Sequence, residues 1–216
     1  MRKALIAGAT GAIGSVLLNY LDASGQYSEI HCIGRREPPF SGEKIKAHIV
    51  SFEDLDRLDL PNRVDDVFCA LGTTLKAAGS VEALQKVDRD YVHEVGKLAK
   101  RLNASTFSVV SAIGADAGSS SRYNRTKGET EELLQGLGLK SLRIFRPSLL
   151  HGPRDEFRLT EKAGFVALRI LSPLLQGPLR KYRAISTAQV AKAMAESAWQ
   201  DSPPVRIFES DEIQCF

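Results

Sequence analysis

Ser111 ends an apolar run, and twelve residues later Tyr123 and Lys127 stand four apart in Tyr-Asn-Arg-Thr-Lys. Positions i and i+4 share one face of a helix, so this spacing sets a phenol beside an ammonium. A free phenol titrates near about pH 10, and a neighbouring cation favours the phenolate and brings proton transfer toward neutrality. A serine at the end of the preceding strand could hold the oxygen of a carbonyl or alcohol. The chain has five tyrosines, so the Tyr/Lys pair alone is a weak signal. Its place after a strand closed by Ser111 is what gives it weight. The alternative is a surface tyrosine and lysine that do no chemistry.

A second constellation opens the chain. The short run Lys3–Ala7 leads into Gly8-Ala9-Thr10-Gly11-Ala12-Ile13-Gly14, with glycines spaced three and three. Gly8 allows a tight turn, Gly11 lets backbone approach a pyrophosphate, and Gly14 lets the next helix pack on the sheet. The segment Gly8, Thr10, Gly11, Ala12, Ile13 and Gly14 is thus a candidate dinucleotide cradle, with phosphates at a helix N-terminus. The next strand ends in Gly34-Arg35-Arg36, where an NAD site normally carries an acidic residue for the ribose. Arg35 and Arg36 suit a 2′-phosphate, which points to NADP(H). Otherwise they are solvated loop residues.

The elements that must position these groups follow from the apolar pattern. Strands are expected at Lys3–Ala7, Glu29–Ile33, Ala47–Val50, Val64–Leu71, Thr106–Ser111, Leu142–Phe145 and Val205–Phe208. Helices are expected after the glycine turn, over Val81–Leu102 with a stripe of Leu84, Val87, Tyr91, Val95 and Leu98, and over Ser121–Leu134 and Ala188–Trp199. Short apolar strands alternating with helices predict an α/β fold. It is a Rossmann-type doubly wound parallel sheet with its ligand site beyond the strand C-termini. Residues 1–216 read as one such domain, with 151–186 as a small substrate lid.

Composition narrows the function classes. The 216 residues are 43% hydrophobic and 25% charged, which excludes a disordered or fibrous chain. A net charge of +3 is too mild to imply nucleic acid. Three cysteines, Cys32, Cys69 and Cys215, form no framework, and the first two read as buried thiols. The four histidines lack metal-ligand spacing, and only His151 falls near the expected site. The longest apolar stretch, Ala163–Leu175, contains Arg169 and Pro173 and is too short for a membrane span. With no signal-peptide pattern, the expected location is cytoplasmic.

These glycines, the Ser111…Tyr123/Lys127 set and the Arg146–Arg154 turn resemble the atypical short-chain dehydrogenase/reductase superfamily. More narrowly, Cys69-Ala-Leu-Gly-Thr-Thr74 and Val87-Asp-Arg-Asp-Tyr91 resemble the Tat-interacting oxidoreductase-like group and its bacterial relatives. The resemblance implies a Rossmann fold, NADP(H), and Ser111, Tyr123 and Lys127 in catalytic positions. It implies Leu71, Gly72 and Thr73 on the cofactor's ribose side, Lys127 also holding the ribose, and Pro147, Leu149 and Leu150 beside the nicotinamide. Asp88 stands where many members carry an asparagine of the proton relay, and the C-terminal lobe is short for a nucleotide-sugar substrate. The expected function is hydride transfer between NADP(H) and a small carbonyl or alcohol. A non-enzymatic NADP(H)-binding module acting through a protein partner is the rival, and an epimerase or dehydratase comes third. A protein partner or a homodimer is left open.

Overall fold

The computed structural model describes residues 1–152, 177–201 and 203–216. The apolar run at the N-terminus forms β1 (Arg2–Ala7). Its Ala4 and Ile6 enter the core on one face of the sheet, and Leu5 and Ala7 enter the core on the other. A strand covered on both faces reads as a continuous apolar run, which is why this segment shows no polar alternation. The chain continues through α1 (Ala12–Ala23), β2 (Tyr27–Gly34), β3 (Ile45–Ile49), β4 (Asp66–Cys69) and the short α2 (Leu75–Ala78). After β5 (Thr106–Val110) come α5 (Arg122–Gly136) and β6 (Leu142–Arg146), with β9 (Val205–Glu209) near the C-terminus.

The seven strands lie in the order β3-β2-β1-β4-β5-β6-β9, and every pairing is parallel. Strand order reverses between β1 and β4. In an open parallel sheet that reversal opens a crevice beyond the carboxyl ends of the two strands. The expected Rossmann-type sheet is therefore observed, and its switch point falls at the glycine turn.

The expected single helix over Val81–Leu102 is corrected. It consists of α3 (Val81–Gln85), a π-helical stretch at Lys86–Tyr91, and α4 (Val92–Arg101). A π turn closes hydrogen bonds five residues apart rather than four, so it takes up an extra residue and shifts the buried face. The buried stripe accordingly runs Leu84, Asp88, Val92, Val95, Leu98, and Val87 and Tyr91 move off it. A carboxylate thus enters the interior where the periodic pattern had placed a valine. A short 2-stranded sheet pairs β7 (Leu150–His151) with β8 (Ile185–Ser186), just ahead of α6 (Thr187–Ser197). Most of the expected lid, 153–176, lies outside the described residues.

Two histidines the sequence pattern left unassigned meet across β2 and β3. His31 Nδ1 lies 2.9 Å from His48 Nε2, and Glu29 Oε2 lies 3.1 Å from the other His31 nitrogen. Burial pulls His31 below the ordinary imidazole range against the opposing pull of Glu29; burial and His31 itself lower His48. A histidine whose folded value is depressed takes up its proton more readily in the unfolded chain. Its contribution to stability is present above the unfolded value of 6.5 and is lost as pH falls through it. The melting temperature is expected to drop between about pH 7 and about pH 5, and His48→Gln should flatten that drop. Equal pH slopes for the two proteins would show that the pair contributes nothing.

Candidate cofactor and substrate cleft

The glycine turn is held by contacts that exclude side chains. Gly8 has φ +91°, and a Cβ there would lie 2.8 Å from the Ala70 carbonyl oxygen on the loop after β4. At Gly14 a Cβ would lie 2.0 Å from the Gly8 oxygen, so α1 packs directly on the turn that precedes it. Gly11 is the N-cap of α1; it supplies no side-chain cap, and the first turn carries no acidic residue. The first N–H groups of a helix have no partner within the helix, and they carry the positive end of its dipole. Bare backbone, free donors and a crevice beside β1 and β4 fit a pyrophosphate at this turn.

Two adjoining clefts share Leu71 as a wall. One is lined by Gly8, Thr10, Gly34, Arg35, Arg36 and neighbouring residues. Arg36 Nη2 reaches to 3.5 Å from Thr10 Oγ1, so its guanidinium leans over the glycine turn from the end of β2. The other cleft brings together Gly11, Ala12 and Ile13 from the turn, Leu71, Gly72 and Thr73 from the loop after β4, and Ser111, Tyr123 and Lys127. Leu150, His151 and Thr187 close its far side. Pro147 and Leu149 are not among its lining residues. Their carbonyls accept backbone hydrogen bonds from Ile113 and Ile185 instead.

The helix that carries Tyr123 and Lys127 is positioned by its start and its close approach to a loop. Ser121 caps α5, accepting from the Asn124 N–H. Gly128 lets the helix touch the preceding loop, since a Cβ there would lie 2.1 Å from the Ala117 nitrogen. Tyr123 is 41% exposed and opens into the cleft, with Lys127 Nζ 6.0 Å from its ring centre. Lys127 is buried, and its Nζ lies 2.6 Å from Asp88 Oδ1, which is buried too. The other Asp88 oxygen accepts from the Thr73 N–H at 2.8 Å, and the Asp88 carbonyl accepts from Thr130 Oγ1. Burial drives Lys127 toward neutrality, but the Asp88 charge outweighs it and holds the ammonium above the ordinary lysine range. Cys69, beneath this pair, is pushed by burial up to about 12, and so is Cys32. Both thiols are inert packing groups.

Ser111 departs from the simple expectation. Its hydroxyl hydrogen bonds to Glu131 Oε1. Glu131 is buried and takes two hydrogen bonds from Arg146, at 3.0 Å and 2.6 Å. Glu131 was missed in the sequence, although it lies one helical turn beyond Lys127 and two beyond Tyr123. The signal was present: a carboxylate recurring on the i, i+4, i+8 stripe that carries the other two groups.

A parallel sheet with its switch point at a glycine turn, and a polar cleft beyond it, defines a Rossmann oxidoreductase fold of the NAD(P)-binding class. The sequence model of the family described as "NAD dependent epimerase/dehydratase family" matches residues 4–182, and this chain belongs to that family. Among curated relatives, rat Protein HTATIP2 is 37% identical over 161 residues, covering 73% of this chain and 66% of its own length. Thus the match takes in just under two thirds of the rat protein. Protein FMP52 of Eremothecium gossypii is 33% identical over 222 residues, covering 98% of this chain and 95% of its own. The resemblance to the Tat-interacting group therefore holds. The fold is shared with MoeE5 in complex with UDP-glucose and NAD, with a TM-score of 0.70, 15% identity, and coverage of 98% of this chain and 79% of that one. It is shared equally with the Helicobacter pylori ADP-L-glycero-D-manno-heptose-6-epimerase, with a TM-score of 0.70, 15% identity, and coverage of 96% and 76%.

The cytoplasmic expectation is overturned by these names. The FMP52 proteins of Eremothecium, Scheffersomyces and Emericella are all named mitochondrial. Among the described residues, no helix is long and apolar enough to cross a membrane.

Proposed function

We propose that this chain is an NADP(H)-dependent oxidoreductase acting on a small carbonyl or alcohol. The observation that carries the reading is a single cleft walled by Gly11–Ile13 of the dinucleotide turn together with Ser111, Tyr123 and Lys127. A bound nicotinamide supplies or accepts the hydride. The chain's own residues do the rest. Tyr123, exposed at the cleft, gives its phenolic proton to the substrate oxygen in reduction and takes it back in oxidation. Lys127, kept cationic by Asp88, sits beneath the Tyr123 ring and sets a positive charge beside the proton-transfer step. Its charge is shared with a carboxylate, so this help is smaller than an unpaired lysine would give. Ser111 meets the substrate oxygen from the end of β5.

Cofactor choice is assigned to Arg36, with Arg35 beside it. The lean of Arg36 over Thr10 supports a 2′-phosphate bound between the β2 end and the glycine turn. Each charge-assisted contact is worth about 1.5–3 kcal/mol, so Arg36→Ala is expected to weaken NADPH by about 10–100-fold and to leave NADH nearly unchanged. Fluorescence titration at fixed low salt measures both affinities. An unchanged NADPH-to-NADH ratio in both Arg35→Ala and Arg36→Ala would remove the NADP assignment.

One observation favours a binding module over an enzyme: Lys127 and the Ser111 hydroxyl are both engaged by buried carboxylates. A panel of small aldehydes, ketones and alcohols with NADPH or NADP⁺ separates the two. Cofactor binding without turnover of any member would favour the module. The nucleotide-sugar complexes among the fold neighbours keep epimerisation as a third outcome, read by testing UDP-sugars alongside the panel.

A further inference from the structure

Four charged or hydroxylic side chains form a chain of contacts along the carboxyl ends of three adjacent strands. Ser111 follows β5, Arg146 ends β6, Glu209 ends β9, and Glu131 reaches them from α5. Arg146 Nε and Nη2 donate to the two oxygens of Glu131, and Arg146 Nη1 donates to Glu209 Oε1 at 3.2 Å. A guanidinium has only donors, so both Glu131 oxygens act as acceptors toward Arg146, and Oε1 also accepts from the Ser111 hydroxyl. The proton between Ser111 and Glu131 is then the serine's own. A hydroxyl has one proton and two lone pairs. With its proton turned inward to Glu131, Ser111 offers the cleft only an acceptor.

We propose that Glu131 is a positioning residue that sets the hydrogen-bond polarity of Ser111, so that the cleft receives a ligand hydroxyl at Ser111 in preference to a bare carbonyl oxygen. The inference rests on the oxidoreductase reading of the cleft and sharpens its substrate class. In the complex that cannot turn over, an alcohol donates its proton to Ser111 Oγ while its oxygen accepts from the Tyr123 hydroxyl; oxidation then requires that proton to turn from Ser111 to Tyr123. A ketone oxygen has no proton to give and meets the lone pairs of Ser111 unfavourably. Glu131 also polarises Ser111, because a hydroxyl that donates to an anion becomes a better acceptor.

The test uses two probes that differ only at the oxygen, 1-(4-fluorophenyl)ethanol and 4-fluoroacetophenone, followed by fluorine NMR line broadening. The full chain is loaded with NADPH for the alcohol and with NADP⁺ for the ketone, so neither turns over. The comparison is made between proteins, which cancels the difference in cofactor. Charge-assisted hydrogen bonds are about twice as strong as neutral ones, so Glu131→Gln should lower the alcohol-to-ketone affinity ratio by about 3–10-fold. Ser111→Ala should lower it at least as far, and NADPH affinity should be unchanged in both. Glu131→Asp, which keeps the charge but withdraws it by one methylene, is the second variant should Glu131→Gln fail to fold, and it should show the same fall. A lower melting temperature with an unchanged ratio would make Glu131 a structural residue only and overturn the proposal. An unchanged ratio in Ser111→Ala would overturn it as well, by showing that Ser111 does not touch the ligand. If neither probe binds the loaded wild-type chain, the carbonyl/alcohol reading itself fails and takes this inference with it.

Discussion

Tyr123→Phe should lower turnover of any active carbonyl or alcohol by about 10²–10⁴-fold, the range that general acid–base catalysis contributes. The substitution keeps the ring and removes only the hydroxyl. Tyr123 is 41% exposed and its ring lies over Lys127 Nζ, so losing only the hydroxyl should leave the fold and the NADPH affinity close to wild type. The measurement is kcat and KM on the best member of the panel, beside a NADPH titration. A loss confined to kcat is expected, because the missing proton matters in the transition state more than in the bound ground state. Unchanged kcat would remove Tyr123 from the chemistry. An equal loss in cofactor affinity would show that the hydroxyl holds the dinucleotide instead.

Gly14→Ala should abolish useful dinucleotide binding through a single methyl group. The added Cβ would sit 2.0 Å from the Gly8 carbonyl oxygen, far inside contact distance, and the obstacle is backbone rather than a flexible side chain. Either α1 moves off the sheet or the Gly8–Gly11 turn opens. Both outcomes misplace the N–H groups that would meet the pyrophosphate, and the loss of even two charge-assisted contacts is worth about 100-fold or more in affinity. Overpacking at such a site costs about 1–3 kcal/mol of stability, so the melting temperature should fall as well. Gly136→Ala is the control. Nothing lies within 4 Å of the Cβ it would add at the end of α5, and the exchange should be neutral or stabilising by up to about 1 kcal/mol. A Gly14→Ala protein that binds NADPH like wild type would show that the turn does not cradle a phosphate. Gly11→Val is a milder version: its Cβ lies 3.2 Å from the Gly8 oxygen, so most of the fold should survive while the branched side chain fills the phosphate's approach.

Much of this architecture was legible in the residues because the signals are local. Runs such as Leu5–Ala7 and Val67–Cys69 are apolar without alternation, and only strands covered on both faces read so. The Gly8, Gly11 and Gly14 spacing announced a tight turn against a helix, and at Gly8 and Gly14 a Cβ would indeed strike backbone. Tyr123 and Lys127 were placed together by a spacing of four on one helix, and the structure sets them on one wall of the cleft.

What remained hidden is set by partners far apart along the chain. Asp88 faces Lys127 because a π turn adds a residue to the helix and rotates its buried stripe, and no periodicity of 3.6 foretells that insertion. His31 and His48 meet because β2 and β3 pair in a particular register, which brings residues seventeen apart to 2.9 Å. The proton of Ser111 points inward because β5, β6 and α5 converge, so that Arg146 anchors Glu131 beneath the serine. Residue types and short spacings sufficed for the strands, the glycine turn and the Tyr/Lys pair, since each depends on neighbours within one or two turns of chain. The charge state of Lys127 and the polarity of Ser111 depend on which buried carboxylate each one meets, and that was decided by packing between elements.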